Sequence, residues 1–241
     1  MRAETRHQLK QDSFSRATID AAERTAHWSA EHKNKLSVAG VIVLVLAVAA
    51  AGSWYYLNQQ DQKASVAFGQ AVRTMDTPIR PPNMPPQPET PSFASAQERA
   101  AAAHKQLQEI ADKYPHTRTA DFAHYFLGLT AAELSDNAAA ERELHQVASF
   151  RNAELSTLAK FALASVYRNT NRNKQAIELY KQLIAKPTVT VSKVTSQLEL
   201  AATYQADNQP LEAKRLYEQI KKENPSSEAA QMASAKLQAL K

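Results

Sequence analysis

The chain has 241 residues, 44% of them hydrophobic, and contains no cysteine, which excludes a disulfide framework, a thiol nucleophile and a cysteine zinc site. The net charge of +5 comes from 29 basic and 24 acidic residues that are interspersed, unlike the concentrated basic stripe of a nucleic-acid-binding protein. Only 4 glycines, and an apolar set dominated by alanine and leucine, favour helices over sheets.

An uncharged stretch runs from Leu36 to Gln60. Its apolar part, residues 36–57, is long enough to cross a bilayer as a helix, which takes about 20 residues. Trp54 and two tyrosines lie near its C-terminal end, where aromatic rings favour the headgroup region. The alternative is a buried helix of a soluble domain, but such helices usually keep a polar face and this segment has none. We therefore predict a transmembrane helix at 36–57.

Basic residues flank this span unequally. Arg24, Lys33 and Lys35 lie within the fifteen residues before it, whereas Lys63 alone lies within the fifteen after it. This bias predicts a single-pass membrane protein with a cytoplasmic N-terminus and an extracytoplasmic C-terminal part. A cleaved signal peptide is the competing interpretation, because residues 49–51 are all alanine. The 35 residues before the apolar run are long for such a peptide, so we expect an uncleaved anchor.

Two polar segments flank the span. Residues 1–35 carry seven basic and five acidic residues and too few apolar ones for a core, so they are predicted to be a cytoplasmic segment, either a plain tail or a docking segment. Residues 58–91 are predicted to hold a short helix at 64–75 and then an extended linker, because seven of the 11 prolines fall within 77–91. PxxP spacings there could bind a proline-reading module, but a spacer is the favoured interpretation.

Residues 92–241 contain three copies of one spaced apolar pattern. Each copy opens on a leucine followed by a small residue, at Leu127, Leu163 and Leu200, so the copies lie 36 and 37 residues apart. Half a copy precedes them, with Leu107 and Ile110. This is the tetratricopeptide pattern, whose period is about 34 residues. The predicted fold is all-α: a single N-terminal transmembrane helix followed by an α-solenoid of tetratricopeptide-like repeats with a terminal capping helix.

Small residues in these copies have a predicted packing role. They would let the two helices of a pair approach closely, while larger residues fill the groove between them. The small residues of the first and second helices are Gly128, Ala164, Ala201, Ala140, Ala176 and Ala213.

The first helix of each copy also carries a stripe of residues spaced by three and four, which keeps them on one face. If this face lines the concave side of the stack, it forms a partly apolar, aromatic groove for a protein partner. Alternatively, its aromatic rings pack against the proline-rich linker or the neighbouring helix. The candidate groove residues are Phe122, Tyr125, Leu129, Phe161, Arg168, Leu198 and Gln205.

No catalytic motif stands out. Asp121 and His124 share a helix face, as do Glu141 and His145, but neither pair matches HExxH or has an evident third ligand, so both are predicted to be surface pairs. The sequence has no glycine-rich phosphate loop and no G-x-S-x-G nucleophile elbow. We therefore predict a binding scaffold rather than an enzyme, with no cofactor and no metal.

The order of polar tail, single span, short helix and repeat stack resembles the YfgM-like family of bacterial inner-membrane proteins, ancillary subunits of the SecYEG translocon. In the tail, the resemblance rests on residues 9–14, LKQDSF, on Trp28 and on residues 31–33, EHK. It implies a single-pass protein of the bacterial inner (plasma) membrane, with a periplasmic repeat domain that contacts the translocon and periplasmic chaperones such as the prolyl isomerase PpiD. The proline-rich linker at 77–91 departs from this pattern, because it interrupts what would be the first helical pair. A general assembly scaffold for cell-division or envelope complexes and a membrane-tethered enzyme are the alternatives.

Overall fold

A computed structural model describes Trp28, residues 32–85 and residues 91–240. Predictions for the rest of the N-terminal segment, and for the prolines within 86–90, lie outside the described residues. Within these ranges the structure contains nine helices. They are α1 Lys33–Asp76, α2 Ala96–Lys113, α3 Arg118–Glu133, α4 Asn137–Ala148, α5 Ala153–Asn169, α6 Asn173–Ala185, α7 Lys193–Ala206, α8 Pro210–Glu223 and α9 Glu228–Ala239.

The chain divides into two compact units, Met1–Tyr56 and Leu57–Lys241. In the first unit, the apolar part of α1 buries none of its large side chains, and Val43 and Leu44 are 65% and 64% exposed. A buried helix of a soluble domain would not show this pattern. Among the described residues, α1 is the one helix long and apolar enough to cross a membrane.

The end of α1 differs from the prediction of a separate short helix at 64–75. Those residues are helical, but α1 continues unbroken from Lys33 to Asp76. Residues 57–63, LNQQDQK, contain neither glycine nor proline, so nothing in the sequence interrupts the helix between the apolar run and residue 64.

The second unit begins with the last five turns of α1, which supply the first half of the first helical pair. Ala64 and Ala71 are fully buried against Leu107 and Ile110 of α2. The half copy recognised in the sequence is therefore completed by residues before the proline-rich linker. Three further pairs follow, α3 with α4, α5 with α6 and α7 with α8, and α9 packs on the last of them.

Close approach within the pairs follows from their small residues. A Cβ atom added to Gly128 would lie 2.6 Å from Cγ of Leu144, so the leucine side chain packs directly against the glycine where α3 and α4 meet. Ala140, Ala176 and Ala213 are each 0% exposed at the equivalent positions of the second helices. The tetratricopeptide-like fold predicted from the spacing of these residues is confirmed.

Turns and caps also follow the sequence. The turns between the helices of the last two pairs contain Asn171 and Asn208 with φ of 59° and 56°, a left-handed conformation that asparagine tolerates well. Side-chain oxygens accept hydrogen bonds from backbone amides at the starts of six helices. The capping residues are Ser95, Thr117, Asp136, Asn152, Ser192 and Ser227.

Hydrogen bonds join the two ends of the proline-rich linker. Ile79 and Phe93 form an isolated bridge, in which the amide of Phe93 donates to Pro78 O at 3.1 Å and the amide of Arg80 donates to Phe93 O at 2.9 Å. The Arg80 guanidinium donates to Ser92 O at 3.1 Å. In the described parts of the linker no helix forms, as its proline content predicts.

Candidate protein-binding groove

The candidate groove residues lie on the first helices of the pairs, and the structure distributes them among different environments. Phe122 on α3 is 40% exposed, and its ring centre lies 6.5 Å from that of Phe68 on α1. Phe126, which the sequence stripe did not include, packs edge-on against Phe68 at 5.5 Å. Phe122 therefore lies at the rim of an aromatic contact between neighbouring first helices.

Tyr125, Leu129 and Phe161 are partly buried and pack against the core that joins the first and second copies. The ring of Phe161 meets Tyr180 edge-on at 5.7 Å. Burial raises the pKa of the Tyr125 hydroxyl. Much of the area of these three side chains is therefore committed to packing between repeats, the second of the two roles that the sequence left open for the aromatic residues.

Arg168 and Leu198 line one open cleft of about 500 Å³ formed by α5, α7, α8 and α9. This volume lies within the range of about 300–1,000 Å³ typical of ligand pockets. Gln205 lies near this cleft, since its Oε1 accepts a hydrogen bond from the hydroxyl of Tyr217 at 3.0 Å. The lining residues are Arg168, Leu198, Glu199, Ala202, Ala206, Tyr217, Met232 and Lys236.

Charge within this cleft is unevenly compensated. The guanidinium of Arg168 on α5 donates to the carboxylate of Glu199 on α7, which joins the second and third copies. Lys236 on α9 has no ion-pair partner among the described residues, and Met232, one turn earlier, is 48% exposed. Among the described residues, the cleft therefore combines an apolar floor and wall with the unpaired positive charge of Lys236.

Arg168 and Leu198, which the repeat spacing assigns to the candidate groove, both line this cleft. The spacing does not predict that Met232 and Lys236 line it too. Both lie on the capping helix α9, which falls outside the repeating pattern. Their spacing of four residues, with a methionine on an otherwise alanine-rich helix, is the signal that could have identified them.

The histidines of the two predicted surface pairs, His124 and His145, each contact a side chain on a neighbouring helix. His124 Nδ1 lies 2.8 Å from Oε2 of Glu143 on α4, a carboxylate that is only 12% exposed. His145 Nε2 lies 2.8 Å from the hydroxyl of Tyr167 on α5. Among the described residues no group of three or more potential metal ligands occurs. The two histidine contacts therefore connect α3 with α4 and α4 with α5.

Glu143→Gln is expected to reduce the acid sensitivity of the fold. The hydrogen bond from His124, assisted by Arg142, holds the pKa of Glu143 below its usual value of 4.5, although burial opposes this shift. A carboxyl whose pKa is lower in the folded state stabilises the protein above the unfolded value, and the stabilisation is lost as the pH falls through the folded value. Melting temperatures measured between about pH 7 and pH 3 should therefore fall less steeply in the variant.

Glu178→Gln is the matched control, because Glu178 is 68% exposed and pairs only with Lys181 on the surface. It should leave the pH profile unchanged. Equal profiles for all three proteins would show that the contact with His124 does not stabilise the folded state.

Comparison with known proteins agrees with this architecture. Two crystal structures of nearly identical TPR-like repeats, assigned to a kinesin light chain of Podosopora anserina, share the fold. One is 17% identical over 75% of this chain and 85% of the other, with a TM-score of 0.57; the second is 18% identical over 75% and 86%, with a TM-score of 0.56. At such identity the likeness shows the fold alone. No curated protein sequence matches the chain.

The sequence pattern of the tetratricopeptide repeat-like domain matches residues 26–241. The matched region includes both the repeat stack and the whole apolar run. Repeats of this kind are typically scaffolds for protein interaction rather than catalysts. The chain belongs to the tetratricopeptide repeat-like domain family.

Proposed function

We propose that the protein is a membrane-anchored binding scaffold whose repeats lie outside the cytoplasm and serve the Sec translocon and periplasmic chaperones. The cleft of about 500 Å³ is the observation that carries the binding role, because it offers open apolar surface beside Lys236, a charge with no ion-pair partner in the described part of the chain. The exposed apolar side chains of α1 support the anchor. The family match supports the binding role and the anchor, since the matched region covers the repeats and begins before the apolar run.

The division of the chain follows from this proposal. Residues 1–35 are the cytoplasmic segment, residues 36–57 cross the bilayer, and residues 92–241 carry the repeats outside the cytoplasm. Residues 58–91 join the span to the repeats, and their helical part packs on α2 as well as connecting it to the membrane. The translocon and chaperones are the partners that the resemblance to the YfgM-like family implies.

The double variant Met232→Asp, Lys236→Glu is expected to lose the copurifying partners while keeping its fold. It places a charge on the apolar wall and reverses the free positive charge, and neither side chain is buried. Exposed substitutions of this kind usually change stability by less than about 0.5 kcal/mol. The measurement is copurification of the full chain in mild detergent, with partners identified by mass spectrometry.

Leu211→Asp is the matched control, because Leu211 is 71% exposed and does not line the cleft. It should keep every partner. Translocon subunits and chaperones among the proteins lost would support the proposal, whereas cell-division or envelope-assembly proteins would favour a general assembly scaffold. Retention of all partners by the double variant would contradict binding in this cleft.

The proposed topology predicts that a reporter active only in the cytoplasm is silent when fused after Lys241. The physical reason is the excess of basic residues before the span, three against one. A reporter active only outside the cytoplasm should give the opposite result at the same position. Strong cytoplasmic activity would reverse the topology, and a mature protein that starts near Gly52 would show a cleaved signal peptide instead.

A further inference from the structure

The loop between α6 and α7, residues 186–192, is held in place by hydrogen bonds to α5 and within the loop. Glu154 on α5 accepts two hydrogen bonds at Oε2, from the amide of Thr190 at 3.2 Å and from its hydroxyl at 2.6 Å. The amide of Thr188 donates to Val191 O at 3.1 Å, and the side chain of Val191 is only 2% exposed. The loop is therefore anchored on both sides of its tip.

Val189 forms this tip and is 96% exposed, the highest value among the exposed large apolar side chains of the described residues. A single exposed apolar residue is ordinary on a protein surface. Here, however, the anchoring contacts on either side hold the valine outward, and exposed Lys186 lies three residues before it. Binding to a membrane surface is strengthened by buried apolar area and by the attraction of basic side chains to anionic lipids.

The loop lies at the end of the repeat unit where α1 enters. The helices of this unit alternate in direction, and the amide of Thr119, at the start of α3, donates to Oδ1 of Asp61 near the beginning of this part of α1 at 2.9 Å. The linkers that lead into α3, α5, α7 and α9 therefore share one end with Leu57, the residue that follows the apolar run directly in the unit.

Charged residues are distributed unequally between the two ends of the repeat unit, the end that contains Leu57 and the opposite end. Counted from the last residue of one helix to the first residue of the next, the four linkers at the Leu57 end contain five basic and two acidic residues. The three turns at the opposite end contain one basic and three acidic residues. The five basic residues are all exposed. They are Lys113, Arg118, Arg151, Lys186 and Lys193.

We propose that the loop 186–192 binds the anionic lipid surface of the membrane that holds α1, with Val189 in the headgroup boundary and Lys186 and Arg151 on lipid phosphates. Each basic residue near an anionic surface contributes about a fivefold preference for the bound state. This contact would give the repeat stack a second attachment to the bilayer beside the helical anchor. It rests on the proposed anchor and is independent of the identity of any protein partner.

The absence of cysteine allows a single label to test this contact. The full chain with Val189→Cys, carrying a fluorescent label, is placed in nanodiscs that contain a lipid-borne quencher, either with phosphatidylglycerol or with phosphatidylcholine alone. We expect quenching in the anionic discs, lost in about 1 M salt, where the Debye length is about 3 Å. Lys186→Glu with Arg151→Glu should lower the ratio of bound to free loop by about 25-fold or more.

Leu211→Cys with the same label is the control for insertion by the label itself, since Leu211 is 71% exposed at the opposite end of the stack. Equal quenching at positions 189 and 211, or none at 189 in chains that enter the discs, overturns the loop contact and leaves the anchor standing. A chain that does not enter the discs, as judged by size-exclusion chromatography, overturns both.

Discussion

Tryptophan in place of Ala140 is expected to unfold much of the repeat stack. Ala140 is 0% exposed in α4, and its carbonyl oxygen lies 3.5 Å from the Cβ position of Gly128 on α3, so no space exists for an indole ring. Overpacking a core with even a few extra methylene groups costs about 1–3 kcal/mol, and an indole adds far more, against a total stability of about 5–15 kcal/mol. Because repeats stabilise their neighbours, the loss should spread along the stack.

The same substitution two residues earlier gives a control of equal chemistry. Ala138 lies in the first turn of α4 with its side chain exposed, so Ala138→Trp should keep the melting temperature within a few degrees. The measurement is thermal unfolding of the full chain in detergent micelles, followed by circular dichroism. Equal melting temperatures for the two tryptophan variants would contradict the packing register of α3 and α4.

The second large effect is a coupling between Gly128 and Leu144. Gly128→Ala places a methyl group 2.6 Å from Cγ of Leu144 and should destabilise the fold by about 1–3 kcal/mol. Leu144→Ala removes a side chain that is 0% exposed and should cost about 2–5 kcal/mol. The double variant should be more stable than the sum of the single effects allows, by about 0.5–3 kcal/mol, because the smaller side chain makes room for the added methyl group.

Gly69→Ala is the control for the intrinsic effect of alanine in a helix. Nothing lies within 4 Å of a Cβ atom added there, so this change should stabilise α1 by up to about 1 kcal/mol. Free energies of unfolding come from urea titration of the four proteins in the cycle and of this control. Additive effects of the two substitutions would show that the cost of Gly128→Ala does not arise from contact with Leu144.

The repeat fold could be predicted because its determinants are local and recur. Leucine followed by a small residue marks each first helix, and a buried alanine marks each second helix. The first pair could not be predicted in full, because its two halves are separated by the proline-rich linker and its first half continues an apolar helix. Ala64 and Ala71 carry no sign in the sequence that they face Leu107.

For the candidate groove, the sequence assigns the residues to the first helices of the pairs but does not show how each side chain is used. Spacings of three and four assign residues to one face, yet they do not tell how far the neighbouring helix covers that face. Phe161 is covered by packing against Tyr180, whereas Arg168 reaches a cleft that is completed by Met232 and Lys236 of α9. The capping helix does not repeat, so its contribution is visible only in three dimensions.

Helix α1 runs through the boundary between the two units, and this limits where the chain can be cut without loss of packing. A fragment that starts at residue 92 would lose the partner of α2 and expose Leu107 and Ile110, both now at most 2% exposed. It would also lose the carboxylate of Asp61 from the start of α3. A fragment that keeps the packing of the first helical pair therefore has to start no later than Leu57, so that Asp61 and Ala64 stay in helical register with the residues they contact.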